Sequence, residues 1–209
     1  MQRRESYRRF RQRYAFSSHK GNAMSNQLDY EINKELGECY LFMGELDKAE
    51  DYYTKAAESS EDQSAPYMGL ATIAMQRGDM DSALTNYNKA MSIQESDKAL
   101  TGLGLVHMNQ NDHEKAFSLF GRALDINPAN AVALGCLVKE GYTLHRVEDI
   151  LPYLSANLDA TNEENTRITL AGCLVSLDRK DEARKYLSEV LAANPSNSNA
   201  QQLYDYIAA

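Results

Sequence analysis

Histidine and cysteine are the residues that would most readily do chemistry in this chain, and neither is spaced for it. His19, His107, His113 and His145 form no His-x-x-x-His pair, and Cys39, Cys136 and Cys173 lie far apart with no ligand partner at close spacing. A closed zinc site needs four converging ligands, and a nucleophilic thiol needs an adjacent base. No glycine-rich phosphate loop and no nucleophile elbow occur. The acidic run from Glu58 to Asp62 reads as a solvated helix end rather than an acid–base pair. The sequence therefore predicts no enzyme activity, no cofactor and no metal. The three cysteines read as reduced, buried thiols of a cytosol-like compartment.

Charge divides the chain in two. Residues 1–23 hold Arg3, Arg4, Arg8, Arg9, Arg11, Arg13 and Lys20 against Glu5, so the rest carries −14 of a net −8. A body that acidic repels phosphate backbones and argues against nucleic acid as a partner. No apolar run approaches the roughly 18 residues needed to cross a bilayer.

What must position every side chain is a repeat. Ala49, Ala83, Ala116, Ile150 and Ala183 recur at separations of 34, 33, 34 and 33 residues. Leu36, Leu70, Leu103, Leu137 and Leu170 recur in the same register. Beside them runs a mostly small column, Gly37, Ala71, Gly104, Val138 and Ala171. Downstream come Tyr53, Tyr87, Phe120, Leu154 and Leu187, then Ala56, Ala90, Ala123, Asn157 and Val190. Each unit carries two helical patterns, A and B, separated by Gly44, Gly78, Asn111, His145 or Asp178. These are the residue types that tolerate the left-handed backbone of a helix end. An acidic column, Asp47, Asp81, Glu114, Glu148 and Asp181, then meets the positive end of each helix B.

The pattern resembles the tetratricopeptide repeat (TPR) family over residues 30–196, with Pro128 and Pro195 also in register. The resemblance implies an all-α fold, a right-handed α-α superhelix of antiparallel helix pairs. It divides the chain into repeats at about 30–63, 64–96, 97–130, 131–163 and 164–197 and a capping helix at 198–208, together a TPR domain over 27–209. Small residues let helices A and B approach, large rings fill the space between units, and Pro128 ends helix B so that Asn130 can cap the next helix. Ser198 and Gln201 have capping-box spacing for the last helix.

Residues 1–26 do not fit the array and are read as a basic, disordered or mis-started segment. Three readings stand: a mitochondrial transit peptide, a basic arm, or an extension upstream of a native start at Met24. The third is favoured, because Lys20-Gly21 implies purine-rich codons resembling a bacterial ribosome-binding site; that reading places the protein in a bacterial cytoplasm. Unit four is irregular. Val138 and Ile150 predict helices set further apart, Gly135 and Gly141 weaken its helix A, and Pro152 implies a late start or a kink in its helix B. Neutral drift and a hinge or widened pocket are both open readings.

In this family partners lie along a concave face lined by helix A. Register places Lys34, Glu38 and Leu41 there, with Met68, Thr72 and Met75, then Lys98, Thr101, Leu105 and Met108, then Lys139 and Tyr142. Lys34 and Lys98 stand at two lysine places of the carboxylate clamp that holds chaperone C-termini. Glu38, Gly69 and Gly102 fill its remaining places, and the acid at Glu38 would repel a terminal carboxylate, so a clamp is not expected. The methionines suit an apolar, adaptable groove with an acidic rim. The expected function is a non-enzymatic adaptor or scaffold that binds a peptide or amphipathic helix of another protein. A secretion-type chaperone or a self-assembling, homo-oligomeric scaffold is the alternative.

Overall fold

The computed structural model describes residues 21–208, with side chains from residue 26. The basic segment of residues 1–20, including its expected disorder, lies outside the described residues. Among the described residues eleven helices follow one another: α1 (Gly21–Phe42), α2 (Leu46–Ser59), α3 (Ser64–Arg77), α4 (Met80–Ile93), α5 (Asp97–Asn109), α6 (His113–Ile126), α7 (Ala131–Thr143), α8 (Val147–Thr161), α9 (Glu164–Ser176), α10 (Lys180–Ala193) and α11 (Ser198–Ala208). No strand occurs among the described residues. Helix α1 starts at Gly21, so residues 21–26, set apart on sequence grounds, continue the first helix A.

All five residues of the A–B break adopt the left-handed backbone, at φ 75° for Gly44, 79° for Gly78, 60° for Asn111, 57° for His145 and 60° for Asp178. The acidic column falls in the first turn of α2, α4, α6, α8 and α10 as expected. Asp79, Ser96, Asp112 and Asn130 each accept from a backbone N–H in the first turn of the helix they precede. The cap of α11 is Asn197, whose Oδ1 accepts from Ala200 N at 2.9 Å. Ser198 is already helical and Gln201 donates to Asp205, so the capping box assigned to them is not formed. Asn197 wins because it also ties the cap to the preceding hairpin: its amide donates to Glu164 Oε1 at 2.6 Å, beside Asn194 at 3.2 Å. The same clasp occurs two junctions earlier, where Asn127 and Asn130 both donate to Asp97 Oδ2 at 2.9 Å.

The small column is buried throughout: Ala49, Ala83, Ala116 and Ala183 have no exposed surface, nor do Phe120, Leu154 and Leu187 opposite. Helices α1, α3, α5 and α9 each approach the next helix of the A series (α3, α5, α7 and the capping α11), while no pair of B helices approaches to that degree. Shorter spacing along the A helices puts them on the inside of the curve. The pair α7 and α9 lacks this approach, and the two helices of unit four, α7 and α8, pack over the shortest stretch of the five hairpins.

The residues explain the wider unit. Ile150 stands where alanine stands elsewhere, and a Cβ at Gly141 would lie under 3.0 Å from the Ile150 side chain. Gly141 is therefore the small partner of a large residue, a reversal of the usual size order. Helix α8 starts on time at Val147, with Pro152 inside it, so no late start occurs. Its first turn is tightened instead: Asp149 N donates to Arg146 O at 3.1 Å, three residues back, where the other four B helices bond four back. Asn157, in the small column, is 2% exposed yet satisfied, donating to Pro128 O at 2.7 Å and accepting from Thr166 Oγ1 at 2.7 Å. Unit four is thus bolted to both neighbours by polar bonds where its apolar packing thins.

Candidate inner-face binding site

The inner face takes its residues from the A helices at one-turn spacing. Met68, Met75, Leu105 and Met108 are half-buried. The last three of these lean on the main core and leave part of each side chain open. Thr72 is tied down: its hydroxyl donates to Met68 O at 2.9 Å and lies 3.2 Å from the Tyr87 hydroxyl. Leu41 packs against the smaller cluster of Ala49, Tyr53 and Ile73. Glu38, Lys98 and Lys139 are exposed. Tyr142 is 43% exposed and reaches across to α9, its hydroxyl 3.7 Å from Cys173 Sγ. Thr101 is different: it is 6% exposed, donates to Asp97 O and accepts from Asn130, so it holds the clasp and does not face a ligand.

The clamp positions gain a structural reason. Lys34 Nζ is paired with Glu31 Oε2 at 2.8 Å, and that bond is the main cause raising its pKa. A Cβ at Gly69 would lie under 3.0 Å from the Tyr53 ring, and one at Gly102 under 3.0 Å from the Tyr87 ring. Each ring comes from helix B of the preceding unit and lies on the backbone where a clamp would carry a polar side chain. Burial pushes the Tyr53 phenol up to about 12 and raises that of Tyr87. Two rings fill the volume a clamp would use, an obstacle the sequence did not reveal.

No group of histidine, cysteine and carboxylate side chains that could hold a metal occurs among the described residues. Burial raises the Cys136 and Cys173 thiols, which disfavours the reactive thiolate. The most unusual polar pair is structural: Glu140 has no exposed surface, and its Oε2 lies 2.6 Å from His113 Nδ1, joining α7 to α6. Its Oε1 has no hydrogen-bond partner among the described residues. A buried carboxylate in mid-helix A was not visible in the sequence, because an acid there reads as solvent-facing.

A stack of helical hairpins with half-open apolar side chains along its A helices defines a helical repeat solenoid. Two family models, both described as tetratricopeptide repeat, match residues 62–129 and residues 31–63 and 165–197. The chain belongs to the tetratricopeptide repeat family. The stretch between the matched spans is unit four, whose size order is reversed.

Among curated proteins, BBSome complex member BBS4 of Bos taurus is 32% identical over 113 residues, covering 54% of this chain and 22% of that relative. The chain thus spans about a fifth of this relative's length, and the relative is a vertebrate protein, which lends nothing to a bacterial setting. Among solved structures, pilF of Pseudomonas aeruginosa superposes with a TM-score of 0.68 at 18% identity, over 88% of this chain and 85% of that one. YrrB, described as a TPR protein with an unusual peptide-binding site, gives 0.59 at 16% identity over 81% and 89%. At these identities the likeness is one of fold. No helix among the described residues is long and apolar enough to cross a membrane.

Proposed function

We propose that the chain is a non-enzymatic scaffold that holds an internal, apolar segment of a partner protein along its inner face. The observation that supports this most is the run of half-buried Met68, Met75, Leu105 and Met108 on consecutive A helices, apolar groups left partly uncovered by the core. Methionine side chains adapt to helices or extended peptides of varied shape. The rings over Gly69 and Gly102, with Glu38 exposed nearby in register, disfavour a free C-terminal carboxylate and favour a segment from within a chain. Acidic side chains outnumber basic ones along the described helices, so basic flanks on that segment would be attracted. Cys39, Cys136 and Cys173 form no disulfide among the described residues, which fits a reducing, cytosol-like compartment.

The test is a quantitative pull-down with Met75→Glu combined with Met108→Glu. Partner capture is expected to fall to background while far-UV circular dichroism stays unchanged. Equal capture by a folded double mutant would refute the assignment of the inner face.

A further inference from the structure

Unit four opens the outer face as well as the inner one. Between the B helices α6 and α8 lies a cleft of about 710 Å³ with Phe117, Pro128, Pro152 and Tyr153 along its apolar walls. Asp125, Glu148 and Asp149 line the same cleft. It falls where α8 tightens its first turn ahead of Pro152.

The cleft already holds one guanidinium. Arg146 lies over the Phe117 ring, 4.3 Å from its centre. Its Nε is 2.7 Å from Asp149 Oδ2 and its Nη1 is 3.0 Å from Glu114 Oε2. A planar cation over a ring face, with carboxylates on its edge, is the arrangement by which proteins hold arginine. Glu114 and Asp149 consume the charge of Arg146, whereas Asp125 and Glu148 enter no salt bridge among the described residues. The lining therefore carries a surplus of two negative charges beside half-buried Tyr153 and Pro128 and exposed Pro152.

We propose that this outer cleft is a second protein-binding site, which takes a short partner segment presenting an arginine next to an apolar side chain. The guanidinium sits between Asp125 and Glu148, and the apolar neighbour rests against Pro128, Pro152 and Tyr153. Arg146 is the resident competitor, the same group on the same kind of aromatic and carboxylate surface. The site is separate from the inner face, since its residues come from B helices and the loops that flank them, and the scaffold would then engage partners on both sides.

The probe is the acetylated, amidated pentapeptide Ala-Leu-Arg-Pro-Ala, with its citrulline twin as a neutral isostere, titrated into 15N-labelled full chain and followed by NMR. The arginine peptide is expected to shift amides of α6 and α8 and the citrulline twin to bind about tenfold more weakly, the scale of one charge-assisted pair. Glu148→Lys and Asp125→Lys should each weaken the arginine peptide, and Arg146→Ala should tighten it several-fold by vacating the Phe117 ring. The Met75→Glu and Met108→Glu double mutant should bind it unchanged, so failure of the inner-face reading would leave this result intact. Equal binding of the two peptides, shifts confined to A helices, or weaker binding to a folded Arg146→Ala chain would overturn the proposal. So would self-association of the chain that is abolished by Glu148→Lys in sedimentation, because the occupant would then be a second copy.

Discussion

Replacing Gly102 by alanine sets two effects of opposite sign against each other. Gly102 lies in the interior of α5, where alanine is normally favoured by about 1 kcal/mol. A Cβ there would lie under 3.0 Å from the Tyr87 ring, a distance real Cβ atoms essentially never show. The ring cannot retreat freely. It is 6% exposed, and its hydroxyl lies 3.2 Å from Thr72 Oγ1, a bond that any retreat would stretch. Overpacking costs roughly 1–3 kcal/mol and a lost hydrogen bond about 1 kcal/mol, so the net is a destabilisation of about 1–3 kcal/mol. For a chain of this size that lowers Tm by roughly 2–12 °C at about 2–4 °C per kcal/mol. Gly135 is the control: it is exposed, and nothing lies within 4 Å of its Cβ position. Gly135→Ala should therefore raise Tm by a few degrees, by helix propensity alone. Thermal unfolding by circular dichroism reads both, and Tyr87→Leu in the Gly102→Ala background should recover part of the loss. A Gly102→Ala chain as stable as wild type would refute the ring-on-backbone contact.

Three further outcomes follow from single residues. His145→Gly and Asp178→Gly should each raise stability by up to about 1 kcal/mol in denaturant titrations, since both residues hold left-handed backbone at φ 57° and 60°. His113→Ala should cost about 1–3 kcal/mol, because it leaves Oε2 of the fully buried Glu140 without its hydrogen-bond partner, and Glu140→Leu added to it should recover part of that cost. Stability should fall with acid through His107, whose burial lowers its pKa below the ordinary 6.5: the folded state favours the neutral ring, so its contribution is present above that pH and is lost below it. Urea midpoints at pH 7.5 and 5.5 should therefore differ more for wild type than for His107→Gln, and equal differences would contradict the assignment.

The repeat could be read from the sequence because its signals are local. The break column is an example: glycine, asparagine, histidine and aspartate share one rare backbone state, and all five positions adopt it. The Asn130 cap and the acidic first turns are local in the same way. What stayed hidden joins residues from different units. Gly69 and Gly102 read only as missing clamp residues until the rings of Tyr53 and Tyr87 were seen to lie on them. Asn157 reads as drift in an alanine column, yet its partners are a carbonyl at Pro128 and a hydroxyl at Thr166. Glu140 looks solvated until His113, in the preceding unit, is placed beside it. For the inner face, register named the residues, but the half-burial that leaves Met75, Leu105 and Met108 partly open is a property of the packed stack.

The chain's own methionines offer the most direct measurement. With methyl-13C methionine, Met68, Met75 and Met108 report on A helices, while Met80 and Met91 report on α4, a B helix. Titration with an amphipathic peptide that has an apolar face and basic flanks should shift the first three signals and leave the other two in place. Shifts at Met80 and Met91 with Met68, Met75 and Met108 unmoved would mean that the concave side is not where this scaffold takes its partner.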